Sequence, residues 1–130
     1  MSIPVLVMGK SGSGKSTSLR NLDPEKVALI NVLGKPLPFK GGNRFKSYQS
    51  DDYLKVTSAI KRASTEIIIL DDAGYLLTNQ FMRGHSNAGA GNGVFSLYNQ
   101  IGDKVCSFFN RCLIGRIILH AATHFFGYRL

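Results

Sequence analysis

Val5-Leu6-Val7-Met8-Gly9-Lys10-Ser11-Gly12-Ser13-Gly14-Lys15-Ser16-Thr17 joins two patterns that reinforce each other. Four apolar residues closed by a glycine form the pattern of a short strand buried on both faces, and Ile3 to Met8 is read as that strand. Gly9 to Ser16 then satisfies G-x-x-x-x-G-K-[ST] at every fixed position. Glycines at those places let successive backbone N–H groups curl inward, which makes a nest for anions at the start of a helix. Lys15 to Leu22 has room for two helical turns before Asp23-Pro24 breaks the pattern.

The chemistry follows from the residue types. Gly9, Lys10, Ser11, Gly12, Ser13, Gly14, Lys15, Ser16 and Thr17 are the candidate nucleotide-binding residues. Lys15 reaches the β- and γ-phosphates as a point charge, the Ser16 hydroxyl is suited to ligate Mg²⁺, and Thr17 is placed to touch the α-phosphate. Such a loop needs a carboxylate opposite the serine, at the end of a neighbouring strand. Ile67-Ile68-Ile69-Leu70-Asp71-Asp72 supplies it. Asp71 is the second metal candidate with Ser16, and Asp72, beside Lys15, is the catalytic candidate that orients the attacking water. Glu66 precedes the strand and belongs at the opposite end of the sheet, and strand two ends in Asn31 and Val32 without a carboxylate.

Outward from this centre, Val27 to Val32 reads as the second buried strand and Ile67 to Leu70 as the third. Gly34 to Ser47 carries Pro36, Pro38, Gly41 and Gly42 and is expected to be a loop or irregular hairpin. Ser50 or Asp51 caps the next helix, whose apolar stripe is Leu54, Ala59, Ile60 and Ala63. Gly84 to Gly93 has almost no apolar bulk and reads as a mobile loop. Val94, Leu97, Tyr98, Ile101, Val105, Phe108 and Cys112 fall at helical spacing, with Gly115 ending that helix. Ile117 to Ala122 is a fourth apolar run. Strands alternating with helices predict a single α/β domain over 1–130, a sandwich with a mainly parallel sheet whose ligands sit beyond the carboxyl ends of the strands.

The 130 residues are 44% hydrophobic and 18% charged, which fits a globular chain and excludes disorder and collagen-like repeats. The most apolar run, Cys112 to Ala122, is interrupted by Arg116, so no membrane span is expected. The start lacks the pattern of a secretory signal, and Cys106 and Cys112 fit buried thiols in a reducing cytosol, so a cytoplasmic location is expected. Net charge is +8. Lys26 to Ser50 and Lys104 to Leu130 contain no acid, a distribution that favours phosphate-bearing partners.

Lys35, Lys40, Arg44 and Lys46 interleave with Phe39, Phe45 and Tyr48. Two readings stand side by side: a surface that tracks single-stranded DNA while rings stack on bases, or a solvated loop that packs its rings on the core. Gly84 to Gly93, with Arg83 and His85 at its entrance, reads first as a plain flexible connection. His120 and His124 have a zinc-compatible spacing only on a helix, and the surrounding apolar run argues strand. Thr123 and His124, just past that run, are candidate sensors of the γ-phosphate.

Taken together, Gly9 to Thr17, Ile30 to Gly42 and Ile67 to Leu76 resemble the phage-encoded P-loop ATP-binding proteins of RecA-like, AAA kind that are associated with recombination and single-strand annealing. Tyr98-Asn99-Gln100-Ile101-Gly102 is also similar to their helix after the Walker B strand. The resemblance covers about residues 1–105 and is most distinctive over Lys35 to Gly42. It implies a RecA-like P-loop NTPase fold, a three-layer sandwich, with ATP and Mg²⁺ bound at Gly9 to Thr17 and Asp71. Action on DNA is implied as well, together with assembly into rings or filaments of identical subunits. For Gly84 to Gly93 the resemblance implies the alternative, a DNA-contacting loop that orders on binding. Such proteins continue through further strands, so residues 104–130 are atypical for the family and the resemblance implies a chain truncated or frame-altered after the fourth strand. The expected function is a Mg²⁺-dependent ATPase in phage DNA recombination or replication. A nucleotide-binding module without turnover is the alternative. A small-molecule or nucleotide kinase is disfavoured because Arg83 and Arg111 are the only arginines between Asp72 and Leu113.

Overall fold

The computed structural model describes residues 5–87, 91–112 and 117–122, the last segment and part of the preceding helix as backbone. Its centre is a five-stranded sheet: β1 (Val5–Gly9), β2 (Val27–Asn31), β3 (Ser47–Gln49), β4 (Ile67–Asp71) and β5 (Ile117–Ala122), in the order β1-β5-β4-β2-β3. Every pairing is parallel. Parallel neighbours require crossovers on the sheet faces, and here helices α1 (Tyr53–Arg62), α2 (Ala73–His85) and α3 (Asn92–Cys112) supply part of that cover. The fold is thus α/β with a parallel sheet, as the alternation of patterns predicts.

The core forms where β2 and β4 lie side by side. Because successive side chains point to opposite faces, their apolar runs serve two cores at once. Leu29 and Ile69 point with Val27 toward Leu19, Phe45, Leu37 and Phe39. Ile30, Ile68 and Leu70 point the other way, toward Val56 of α1 and Leu76 of α2. Ile69 and Leu70 have no exposed surface, and burying each contributes about 2 kcal/mol.

The first strand is different. Val5, Leu6 and Met8 are 43%, 48% and 66% exposed, so β1 is an edge of the described sheet and not buried on both faces. Its one strand neighbour is β5, in the register Gly9↔Ala122. The apolar run that reads as a fourth strand therefore inserts between β1 and β4. It is the fifth strand in chain order, because the Gly34 to Ser47 segment is followed by the short β3, parallel to β2, where a hairpin would have been antiparallel.

Helical elements also depart from the sequence reading. Ser16–Asn21 forms the short helix expected after the glycine-rich loop, but winds as a 3-10 helix. Helix α1 is capped by Asp52, one residue beyond the expected Ser50 or Asp51. Its carboxylate accepts the N–H of Leu54 at 2.8 Å and of Lys55 at 3.0 Å. The Lys55 N–H bond, helped by that of Leu54 and by the nearby Lys55 and Arg83 charges, holds the Asp52 carboxyl below its ordinary value. Val56 and Thr57 are the buried residues of α1, whereas Leu54 of the expected stripe is 73% exposed.

Residues 73–85 form a helix where the sequence shows no periodic stripe, and helices enter the expected loop from both ends, Gly84 and His85 in α2 and Asn92 and Gly93 in α3. Gly84 has a packing reason to lack a side chain: a Cβ there would stand 2.6 Å from Leu97 Cδ1 of α3. Arg83 belongs to this helix too. Its guanidinium pairs with Asp51, to which Asn79 Nδ2 also donates at 3.1 Å, so the end of α2 is tied to the start of α1. Tyr53 Oη donates to the Lys104 carbonyl at 2.8 Å and joins α1 to α3.

Candidate functional site

All strands run the same way, so the carboxyl ends of β1, β2 and β4 meet at one edge of the sheet. The glycine-rich segment leaves β1 there. Gly12 and Gly14 adopt φ of 78° and 88°, a left-handed backbone that other residues rarely tolerate, and these turns let the loop reverse. Ser13 N–H donates to the Lys10 carbonyl at 3.2 Å across the turn. Lys15 curls back over the loop, its Nζ donating to the carbonyls of Gly9 and Lys10, each at 2.8 Å. Ser18 Oγ donates to the Lys15 carbonyl at 2.6 Å and steadies the start of the 3-10 helix.

Ser16 and Asp71, separated by 55 residues in sequence, meet at this edge. Ser16 Oγ lies 2.9 Å from Asp71 Oδ2 and 3.1 Å from Oδ1, within donating distance of either. Asp71 is the last residue of β4 and only 5% exposed, so its carboxylate is held in place by the sheet rather than by a loop. It also accepts the N–H of Asp72 at 3.2 Å. A hydroxyl and a carboxylate in contact are hard oxygen donors of the kind Mg²⁺ selects. Asp72 itself has φ 58° and ψ 34°, which turns the chain from β4 directly into α2. Aspartate tolerates this left-handed conformation better than most residues, which explains a non-glycine here.

These groups line one cleft of about 330 Å³. Lys15, Ser16, Thr17, Asp71 and Asp72 are on its wall, together with Ser11, Gly12 and Gly14 of the loop. Another part of its wall comes from residues that the glycine-rich motif does not include. Lys35, Pro36 and Pro38 follow β2, and Tyr75 lies in the first turn of α2. Lys35 Nζ stands 5.7 Å from the centre of the Tyr75 ring, in a cation–π arrangement. Asn31 places this wall. Buried at the end of β2, it accepts the Gly34 N–H at 2.8 Å and donates Nδ2 to the Lys35 carbonyl at 2.6 Å.

Sequence reasoning noted Asn31 only as the end of strand two and gave neither it nor Tyr75 a place in the site. A signal existed for Asn31, a lone polar residue closing an apolar strand. None existed for Tyr75, whose helix has no periodic stripe. Lys35, grouped from sequence with Lys40, Arg44 and Lys46 as a candidate DNA contact, lines the cleft, whereas those three do not. Lys40 and Arg44 are exposed, and Lys46 lies 3.9 Å from Glu25 with both side chains mostly in solvent. The interleaved rings do not behave as one set. Phe39 and Phe45 make a T-shaped contact at 5.9 Å and pack into the core, whereas Tyr48 is 45% exposed. For the two phenylalanines the core reading replaces the base-stacking one. Glu66, expected at the far end of the sheet, pairs there with Lys26 at 3.3 Å. Thr123 and His124, the sensor candidates, lie outside the described residues, as do the side chains of Cys106, Cys112 and His120. Among the described residues no helix is long and apolar enough to cross a membrane.

Compared with known proteins, the chain matches no family model, and no curated protein is significantly similar to it.

Proposed function

We propose that this chain is an ATP-binding protein of the RecA-like P-loop kind that hydrolyses ATP with Mg²⁺ and uses it in phage DNA recombination or replication. The observation that carries the nucleotide part of the reading is the contact of Ser16 with Asp71 at the mouth of a glycine-rich loop. The contact brings a hydroxyl and a carboxylate together at the end of a strand, where a metal-bound triphosphate needs both. The parallel sheet with core on both faces is compatible with such a fold.

In this reading the backbone N–H groups of Gly9 to Thr17 cradle the phosphates, and Lys15 leaves the Gly9 and Lys10 carbonyls to neutralise them. Ser16 and Asp71 hold Mg²⁺, which supplies charge neutralisation as the terminal phosphoryl group departs. Asp72, on the same wall, orients the attacking water and accepts its proton. The DNA part rests on the resemblance of Gly9 to Thr17, Ile30 to Gly42 and Ile67 to Leu76 to phage ATP-binding proteins, and on the acid-free basic segment. Lys40, Arg44 and Lys46 are the residues assigned to its phosphates, and identical subunits assembled on the strand are part of the same proposal.

The test is phosphate release from ATP with Mg²⁺, with and without single-stranded DNA, alongside nucleotide binding. Lys15→Ala is expected to abolish both binding and turnover, and Asp72→Asn to spare binding and lower turnover about a hundredfold. Stimulation by DNA supports the full reading. Tight binding without turnover leaves only a nucleotide-binding module, and no binding at millimolar ATP overturns the proposal.

A further inference from the structure

We propose that Lys35 is a second phosphate clamp, a specificity residue that lets the cleft distinguish a nucleoside triphosphate from a diphosphate. The inference rests on the nucleotide-binding reading above and adds to it a residue outside the glycine-rich loop.

Three observations converge on Lys35. It shares the cleft with Lys15, Ser16, Asp71 and Asp72, although the chain reaches it from β2 rather than from β1. Its backbone is fixed, because the buried Asn31 side chain holds both the Gly34 N–H and the Lys35 carbonyl. Its ammonium group is held by the face of Tyr75, itself anchored one turn into the helix that Asp72 begins. A long flexible cation is thereby confined to one wall of the site, which lowers the entropy it loses when it takes up an anion.

The sheet order sets which part of the ligand Lys35 faces. Asn31 and Asp71 are direct register partners on the adjacent strands β2 and β4, so the segment after Asn31 runs beside Asp71 and Asp72. That is the side of the cleft where the metal pair and the water-orienting carboxylate stand. The phosphate nearest them is the terminal one, and a diphosphate leaves that position empty. Lys35 thus meets the γ-phosphate and has no equivalent contact in a diphosphate complex. Exchange from the Tyr75 ring to a phosphate oxygen is favourable, since a charge-assisted bond to a dianionic group exceeds an exposed cation–π contact.

The experiment measures equilibrium binding of ATP and ADP, each with Mg²⁺, to the wild-type chain and to Lys35→Ala, Lys35→Arg and Lys15→Ala. Lys35 is exposed, its hydrogen bond to Asn31 uses the backbone carbonyl, and its side chain gives up only a surface cation–π contact, so the substitution leaves folding intact, which circular dichroism checks. A charge-assisted contact corresponds to roughly ten- to hundredfold in affinity. Lys35→Ala is expected to weaken ATP by about that factor and to change ADP less than threefold, and Lys35→Arg to restore most of the ATP preference. An equal loss for both nucleotides, or no change for either, overturns the role of Lys35 while leaving the site itself standing. Failure of the wild-type chain to bind either nucleotide, or indifference to Lys15→Ala, would instead remove the nucleotide reading on which it rests.

Discussion

Asn31→Ala is the substitution that most directly tests how the sheet places the Lys35 side of the cleft. The side chain makes two hydrogen bonds, to Gly34 N–H at 2.8 Å and to the Lys35 carbonyl at 2.6 Å. Each such bond contributes about 1 kcal/mol net, and an orphaned buried partner would cost more. Here both partners belong to residues exposed to solvent, so water replaces the lost amide and the cost stays near the net value. The expected loss is about 2 kcal/mol, which for a chain of 130 residues lowers Tm by roughly 7 °C. Thermal and urea unfolding followed by circular dichroism measure it, with the urea midpoint falling and the slope unchanged. Asn31→Asp sharpens the test. It keeps an acceptor for Gly34 but sets a carboxylate against the Lys35 carbonyl, so its folded-state pKa rises. The resulting destabilisation is greatest above that raised pKa and is relieved as the pH falls and the carboxyl becomes a donor. A Tm change below about 1 °C for Asn31→Ala, with stability of the aspartate variant independent of pH, would show that Asn31 does not clamp this segment.

Other outcomes follow from the same structure. Asp52→Ala removes the cap of α1 and is expected to cost about 1 kcal/mol by urea unfolding. Because the Asp52 pKa is depressed on folding, its contribution is present above the ordinary value of 3.8 and is lost as the pH falls through the lower folded value, so the variant and the wild type should converge in strong acid. Leu70→Ala, at a position with no exposed surface, should lose about 3 kcal/mol, and a loss under 1 kcal/mol would deny the core its centre at β4. Gly84→Val forces a side chain against Leu97 and is expected to destabilise by about 2 kcal/mol, whereas a loop at this position would absorb the change without cost. On the proposed nucleotide-binding reading, Asp71→Asn keeps the shape of the Ser16 contact but removes the negative charge that would hold Mg²⁺. The Mg²⁺-dependent part of ATP affinity should vanish while Mg²⁺-free binding persists, as titration with and without chelator would show.

Local signals carried much of the architecture. The runs Val27 to Val32 and Ile67 to Leu70 are apolar without alternation, a pattern that only burial on both faces explains, and they became the two central strands. The helical spacing from Val94 onward marked α3 in the same way. Where the reading departed, a nonlocal contact was responsible. Val5 to Met8 has the same composition as the central strands yet is exposed, since a run of apolar residues does not say which place in the sheet it occupies. Helix α2 escaped notice because its buried positions, Gly74 and Leu76, make no stripe, and its position is set by contact with α3, β5 and Asp51.

The candidate site divides along the same line. By itself the sequence picked out Gly9 to Thr17 as a candidate phosphate cradle, because glycines, a lysine and a hydroxyl at fixed spacing are written in one dimension, and Asp71 as the carboxylate that closes an apolar strand. Only the tertiary structure decided that Lys35 and Tyr75 line the cleft, that Phe39 and Phe45 belong to the core, and that Asn31 holds the turn through Gly34 to Lys35. Those assignments depend on which strands become neighbours, and strand order is chosen by the packing of two faces at once, which no local window of residues contains.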